Sequence, residues 1–361
     1  MIPPAEQTGI NSTRLEWVDA AKGIAILFVL VSHSRFWTYA NAHSDIELVL
    51  GICKFFKLAL PPYMALFFVL SGYTFKDRSG LLQQRFNRLL VPYFIWGLFY
   101  LVLTWINLFI NGGSFLSFAK PVAGLIYSRF SLFPIESDFN ILLLPSGASP
   151  LWFLTCLFTS YALLIPIVRF EKYRVYIVVS YLVAALILSF SPILLPWSID
   201  VAPIGALFLY AGYLMKSKRI FASKLSCLVL VAFVFFAIYA LIVKYNGGIN
   251  MSVREYGRHL ILSPFLFVFI GIAGSFLYCI VCMVLEKVHL AKPFAYIGRV
   301  SLTLLCSHIF VFIALQKIFS KYTMHYGIFT SSQYLFVLEI LCAVIFAICL
   351  TECKKRFLSR K

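Results

Sequence analysis

The chain has 361 residues, of which 61% are hydrophobic, 17% aromatic and only 12% charged, with a formal net charge of +17. Soluble domains carry about 25% charged residues, and a mean hydropathy of +0.91 excludes a soluble enzyme in favour of a polytopic membrane protein. The positive balance does not indicate nucleic acid: Lys and Arg sit in short clusters between apolar runs, the pattern of cytoplasmic loops against an anionic leaflet, and no aromatic-basic platform is present.

In chain order, the first sixteen residues are polar and lack the short apolar core of a cleavable signal, so the first span is expected to remain as an anchor. Apolar runs of about 20 residues cross a bilayer. Such runs are predicted near 18–38, 56–75, 92–110, 150–169, 174–191, 200–215, 225–243, 259–285, 301–319 and 334–351. The expectation is an all-α, single transmembrane domain over 1–361, with about ten helices, both termini cytoplasmic and no separate soluble domain. With that orientation the cytoplasmic side holds about 20 of the 31 Lys and Arg and the opposite side about 10, as the positive-inside rule requires.

The first span carries Asp19, Lys22 and His33. At about 100° per residue, the eleven steps from Lys22 to His33 close to within about 20°, so the two share a helix face about 16 Å apart. Asp19 falls beside them, giving one polar stripe. Ionisable residues within hydrocarbon usually face a protein interior or a wet cavity. Histidine suits proton transfer near neutral pH, so His33 is a candidate general base; the alternative is a buried histidine satisfied by a neighbouring helix. Lys22 and Asp19 either set charge along a substrate route or form an interfacial pair.

Arg85 and Arg88 precede the third span in R-F-N-R-L-L-V-P-Y. Three apart, they are expected to face one way and to clamp phosphate, or else to serve only as topology markers. The longest loop, 111–149, with Glu136 and Asp138, is too long for a simple connection and is a candidate lid or acceptor surface, or else an inert re-entrant or ordered surface loop. Trp152 in S-P-L-W-F-L is a candidate acceptor-binding residue or else an aromatic-belt residue. His308 in the ninth span is a candidate to reach the same cavity as His33, as acceptor-binding group or second proton carrier, or else a histidine hydrogen-bonded between helices. His259 is expected at the interface. F-V-L-S-G-Y-T-F-K and F-L-Y-A-G-Y-L-M-K repeat a small-Gly-Tyr pattern, read as a helix-packing device rather than an inverted repeat. The nine cysteines read as packing residues, and no metal site is expected. No hydrolase elbow, Walker loop or dinucleotide fingerprint occurs.

Together these segments resemble the acyltransferase-3 family of membrane O-acyltransferases, close to its fucose 4-O-acetylase-like group. W-V-D-A-A-K-G-I-A-I-L-F-V-L-V-S-H resembles the first-span signature, with Lys22 on the basic position and His33 on the essential histidine. The basic position is commonly Arg, and lysine lacks its bidentate fork. Y-M-A-L-F-F-V-L-S-G-Y-T-F, the Arg-x-x-Arg of Arg85 and Arg88, P-L-W-F-L and I-G-R-V-S-L-T-L-L-C-S-H resemble later landmarks. The resemblance implies a bacterial inner-membrane enzyme. Its donor would be acyl-coenzyme A, usually acetyl-CoA, and its acceptor a hydroxyl of a cell-surface polysaccharide or a lipid-linked precursor. His33 would be the base, Arg85 and Arg88 the phosphate clamp, and Ser71 and Tyr73 candidate oxyanion donors. A transporter or flippase of a glycan intermediate would need similar spans, and prolines such as Pro61, Pro62 and Pro264 suit broken helices. A non-enzymatic partner of a glycan synthase has no supporting feature.

Overall fold

The computed structural model describes residues 15–134, 143–326 and 335–358, with the side chains of 321–326 excepted. Glu136 and Asp138 lie outside the described residues. Helices dominate: α1 (Glu16–His33), α2 (Phe36–Ala42), α3 (Glu47–Ala59), α4 (Tyr63–Tyr73), α5 (Leu81–Arg85), α6 (Val91–Ile110), α7 (Phe115–Tyr127), α8 (Trp152–Arg169), α9 (Arg174–Ser189), α10 (Ala202–Ser217), α11 (Leu225–Asn246), α12 (Ser263–Lys287), α13 (Lys292–Arg299), α14 (Ser301–Tyr326) and α15 (Leu335–Leu358). Helices satisfy their own backbone in hydrocarbon, which is why an apolar chain of this kind folds so. Among the described residues, nine helical stretches are long and apolar enough to cross a bilayer, or ten if the bent pair α1–α2 is one span. The chain is a multi-pass membrane protein, and each predicted run falls on one of these stretches.

Two predicted boundaries shift. The first span does not run on to residue 38: α1 stops at His33 and the chain bends by 56° into α2. Arg85 and Arg88 are not in a loop, because helix begins at Leu81 and passes through a π-turn, Phe86–Leu90, into α6. The 111–149 connection is partly helical, since α7 occupies Phe115–Tyr127.

Small residues bring the central helices together. Gly23 on α1 packs on the backbone of Phe294, and Gly298 on α13 packs on the Asp19 carbonyl. The two small-Gly-Tyr segments meet each other: Gly72 on α4 abuts the Leu209 backbone, and Gly212 on α10 abuts Val69 and Tyr73. The repeated pattern is therefore the two halves of one close helix crossing, as glycine's missing side chain allows. Gly212→Ala should force Val69 and Tyr73 away and cost about 1–3 kcal/mol, the range for overpacking, read as a lowered unfolding temperature in detergent. An unchanged midpoint would mean the α4–α10 contact yields freely.

The α3–α4 break follows from Pro61 and Pro62. Pro62 lacks the N–H that would close on the Leu58 carbonyl. That oxygen instead accepts from the Tyr239 hydroxyl at 2.7 Å, and the Ala59 carbonyl accepts from Tyr278 at 2.9 Å. Neighbouring helices thus satisfy the backbone freed at the kink, as burial in lipid demands.

Candidate active site

His33 is the last residue of α1, and its side chain is exposed into two cavities of about 1070 and 1050 Å³. The helix ends there, so the ring projects into space left between α1, α8, α12 and the 249–259 segment. Trp152, Pro150, Asn250 and Ser252 also line both cavities, making them the walls of a junction centred on His33. The first cavity continues past Phe130, Ser131, Ser149, Glu255, His259 and Ser263, a lining rich in groups that hydrogen-bond hydroxyls. Part of the 111–149 connection thus does border the chamber. His259 borders it too, stacked on Tyr245 with ring centroids 4.4 Å apart, rather than facing the membrane interface alone.

His308 lies beside His33, with ring centroids 5.3 Å apart. It is fully buried. Its Nδ1 is 2.9 Å from the Leu304 carbonyl, which can only accept, so Nδ1 carries the proton. Nε2 then holds a lone pair, and it has no hydrogen-bond partner. Tyr100 fixes the helix around this ring by donating to the Cys306 carbonyl at 2.8 Å. The two histidines, 275 residues apart in the sequence, are brought side by side by the fold.

The other predicted residues gather at the opposite end of α1. Asp19 is buried, with Lys22 Nζ 4.0 Å from one carboxylate oxygen and Arg299 Nε 3.8 Å from the other. Arg299 belongs to the I-G-R motif, whose charged partner sequence reading left unassigned. Ser71, Tyr73, Arg85 and Arg88 form a neighbouring group. Arg85 is half-buried over the face of Tyr161, 4.1 Å from its centroid, and the Tyr161 hydroxyl donates to the Ser71 carbonyl at 3.2 Å. Tyr73 packs edge-on to Trp17 at 5.1 Å, joining this group to the start of α1.

Arg85 is half-buried and Arg88 exposed, on either side of the start of the π-turn Phe86–Leu90, a kind of turn that recurs at functional sites. Nearby, Arg169 makes two hydrogen bonds to Asp77, at 2.9 and 3.0 Å, and holds that carboxyl below its ordinary pKa. The pair is largely exposed, so it is worth little stability.

Neither cavity lined by His33 is lined by Lys22, Arg85 or Arg88. The polar stripe of α1 therefore splits into a carboxylate-centred cluster at one end and a histidine junction at the other.

Sequence reading also missed the wall of the first cavity. Arg129, Asp200 and Arg254 form a buried triad: Arg129 Nη2 is 3.4 Å and Arg254 Nε 3.0 Å from Asp200 Oδ2. Arg129 also donates to Ser198 at 2.8 Å, and Arg254 donates to the Leu188, Ser191 and Ile193 carbonyls. Three connections between spans are tied together in this way. Tyr256 sits beneath, its phenol pushed above its ordinary pKa by burial and so neutral. The only signal in the sequence was isolated charge outside the basic side, which does not reveal partners.

A family model described as an acyltransferase domain matches residues 15–351. No curated protein and no solved structure matches the chain.

Proposed function

The chain belongs to the acyltransferase-3 family, and from that premise we propose that it moves an acetyl group from acetyl-coenzyme A to a hydroxyl of a surface glycan or its lipid-linked precursor, in a bacterial inner membrane. The observation that carries this reading is the His33–His308 pair at the junction of two cavities. One imidazole is open to a ligand, and the other is locked in one tautomer behind it.

In this reading His33 takes the proton of the acceptor hydroxyl. The oxygen attacks the thioester carbonyl carbon, the carbon–sulfur bond breaks, and an ester and a free thiol result. General base catalysis contributes about 10²–10⁴-fold to such a step. Buried His308 holds the histidine end of α1 in register and keeps an acceptor lone pair beside it. Trp152 forms an apolar wall for the acceptor. The polar lining of the first cavity fits the many hydroxyls of a sugar, and Asp19 with Lys22 and Arg299 sets charge at the far end of α1.

Arg85 and Arg88 are proposed to meet the phosphates of the donor on the cytoplasmic side. Arg85 keeps a buried Nε without a hydrogen-bond partner, so part of its guanidinium is unspent. Ser71 and Tyr73 lie beside that position. Arg85→Ala combined with Arg88→Ala should raise the apparent donor KM on the order of tenfold, the loss of one charge-assisted contact, with protein abundance matched. Unchanged donor affinity would return both residues to marking topology.

The test of the whole reading is labelled acetyl-coenzyme A supplied to membranes with and without the protein, followed by analysis of glycan ester. Label entering glycan only with the protein supports acyl transfer. No label in glycan, lipid or any acceptor fraction would instead favour carriage of a glycan intermediate.

A further inference from the structure

We propose that the second chamber at His33 is a phosphate site, holding the phosphate or diphosphate of a substrate whose reacting group then reaches the histidine junction. The word substrate rests on the acyl-transfer reading; the anion site stands on its own observations.

The two chambers differ in sign. The second, of about 1050 Å³, is lined by Lys54 and Lys57 of α3, Lys244 of α11 and Arg258, and among the described residues its lining contains no carboxylate. The first has Glu255, and its one arginine, Arg254, is committed to Asp200. Lys54, Lys57, Lys244 and Arg258 are all exposed, and none makes an ion pair among the described residues. Four like charges on one low-dielectric wall repel, and a cavity of one sign concentrates counter-ions of the other. A phosphate is the anion that lysine and arginine together hold best.

Their position is also unaccounted for by topology. In the predicted orientation these are four of the roughly ten Lys and Arg on the side that the positive-inside rule depletes. Lys54 and Lys57 lie one turn apart within the apolar stretch Glu47–Tyr73, where an ionisable residue marks function by default.

The chamber is built rather than frayed. Tyr239 and Tyr278 pin the end of α3 just beyond Lys57. Arg258 is seated over Gly247, whose φ is +81° and where a Cβ would stand 2.8 Å from the guanidinium Nε. The Arg258 N–H donates to the Asn246 carbonyl at 2.8 Å. Buried Asn246 is itself fixed, donating to the Tyr256 carbonyl and accepting from Ser263, each at 2.6 Å. The chamber shares His33 and Trp152 with its neighbour, so a ligand anchored on the cations ends at the reactive junction.

Phosphate can come from a lipid-linked acceptor or from the coenzyme, and binding distinguishes them. The full chain in nanodiscs is titrated with inorganic diphosphate, a short prenyl diphosphate and coenzyme A. The variants are Lys54→Gln with Lys57→Gln, Lys244→Gln with Arg258→Gln, and Arg85→Ala with Arg88→Ala. Diphosphate should bind the unaltered protein with salt-sensitive affinity. Each glutamine pair should weaken it at least about tenfold, by more than the Arg85 and Arg88 variant does. Lys57→Arg, which keeps the charge, should retain binding and control for folding. Selective loss of prenyl diphosphate binding supports the site as the acceptor's; selective loss of coenzyme A binding supports it as the donor's. Absent diphosphate binding, or unchanged affinity in both glutamine pairs, overturns the site. Binding that persists while the label assay fails would overturn the acyl-transfer reading and leave the anion site intact.

Discussion

His33→Ala is expected to lower acyl transfer by about 10²–10⁴-fold, the usual share of a general base, at unchanged protein abundance. The expectation follows from placement. His33 closes α1, opens into both chambers and has the buried His308 ring 5.3 Å behind it. Among the described residues, no other imidazole lines both cavities. Truncation should leave packing nearly intact, because the ring already faces open space. The loss should therefore appear in kcat and not in the unfolding temperature. Added imidazole has room to enter and should restore part of the rate, an effect that a purely structural histidine would not produce. Full activity without His33 would remove it from the chemistry.

Asp200→Ala is expected to destabilise the protein by about 3–5 kcal/mol, the cost of stripping one partner from a buried charge pair. Asp200 is the carboxylate between Arg129 and Arg254, and all three are buried. Removing it strands two guanidinium groups, and burial already pulls Arg129 below its ordinary pKa. The three carbonyls held by Arg254 would keep part of the structure. Thermal unfolding in detergent measures the cost. Replacing Arg129 by Met together with Asp200→Ala should recover part of it, since one uncompensated charge goes. The triad also borders the polar chamber through Arg254, so acceptor affinity should fall with stability. An unaltered midpoint for Asp200→Ala would show that solvent screens the cluster.

The ten apolar runs and the all-helical class were legible because the bilayer sets both the length and the polarity of a span. The small-Gly-Tyr segments were legible as packing devices, although only the fold showed that Gly72 and Gly212 belong to the same crossing. His33, Trp152 and His308 stood out as polar or aromatic exceptions within or beside spans, and the structure gathers all three near one junction. The helical wheel placed Lys22 and His33 about 16 Å apart along α1, and in the fold each end meets different partners: Asp19 beside Lys22, and His308 beside His33.

The sequence by itself determined which segments enter the membrane and which side chains resist being there, since hydrocarbon selects residue by residue along a single helix. Tertiary structure alone decided the partners: His308 for His33, Arg299 for Asp19, Asp200 for two arginines, and the convergence of Lys54, Lys57, Lys244 and Arg258. Those pairings join elements far apart in the chain. They depend on how kinks at Ser34 and Pro62 and close glycine contacts aim whole helices, and no periodicity within one helix records the position of another.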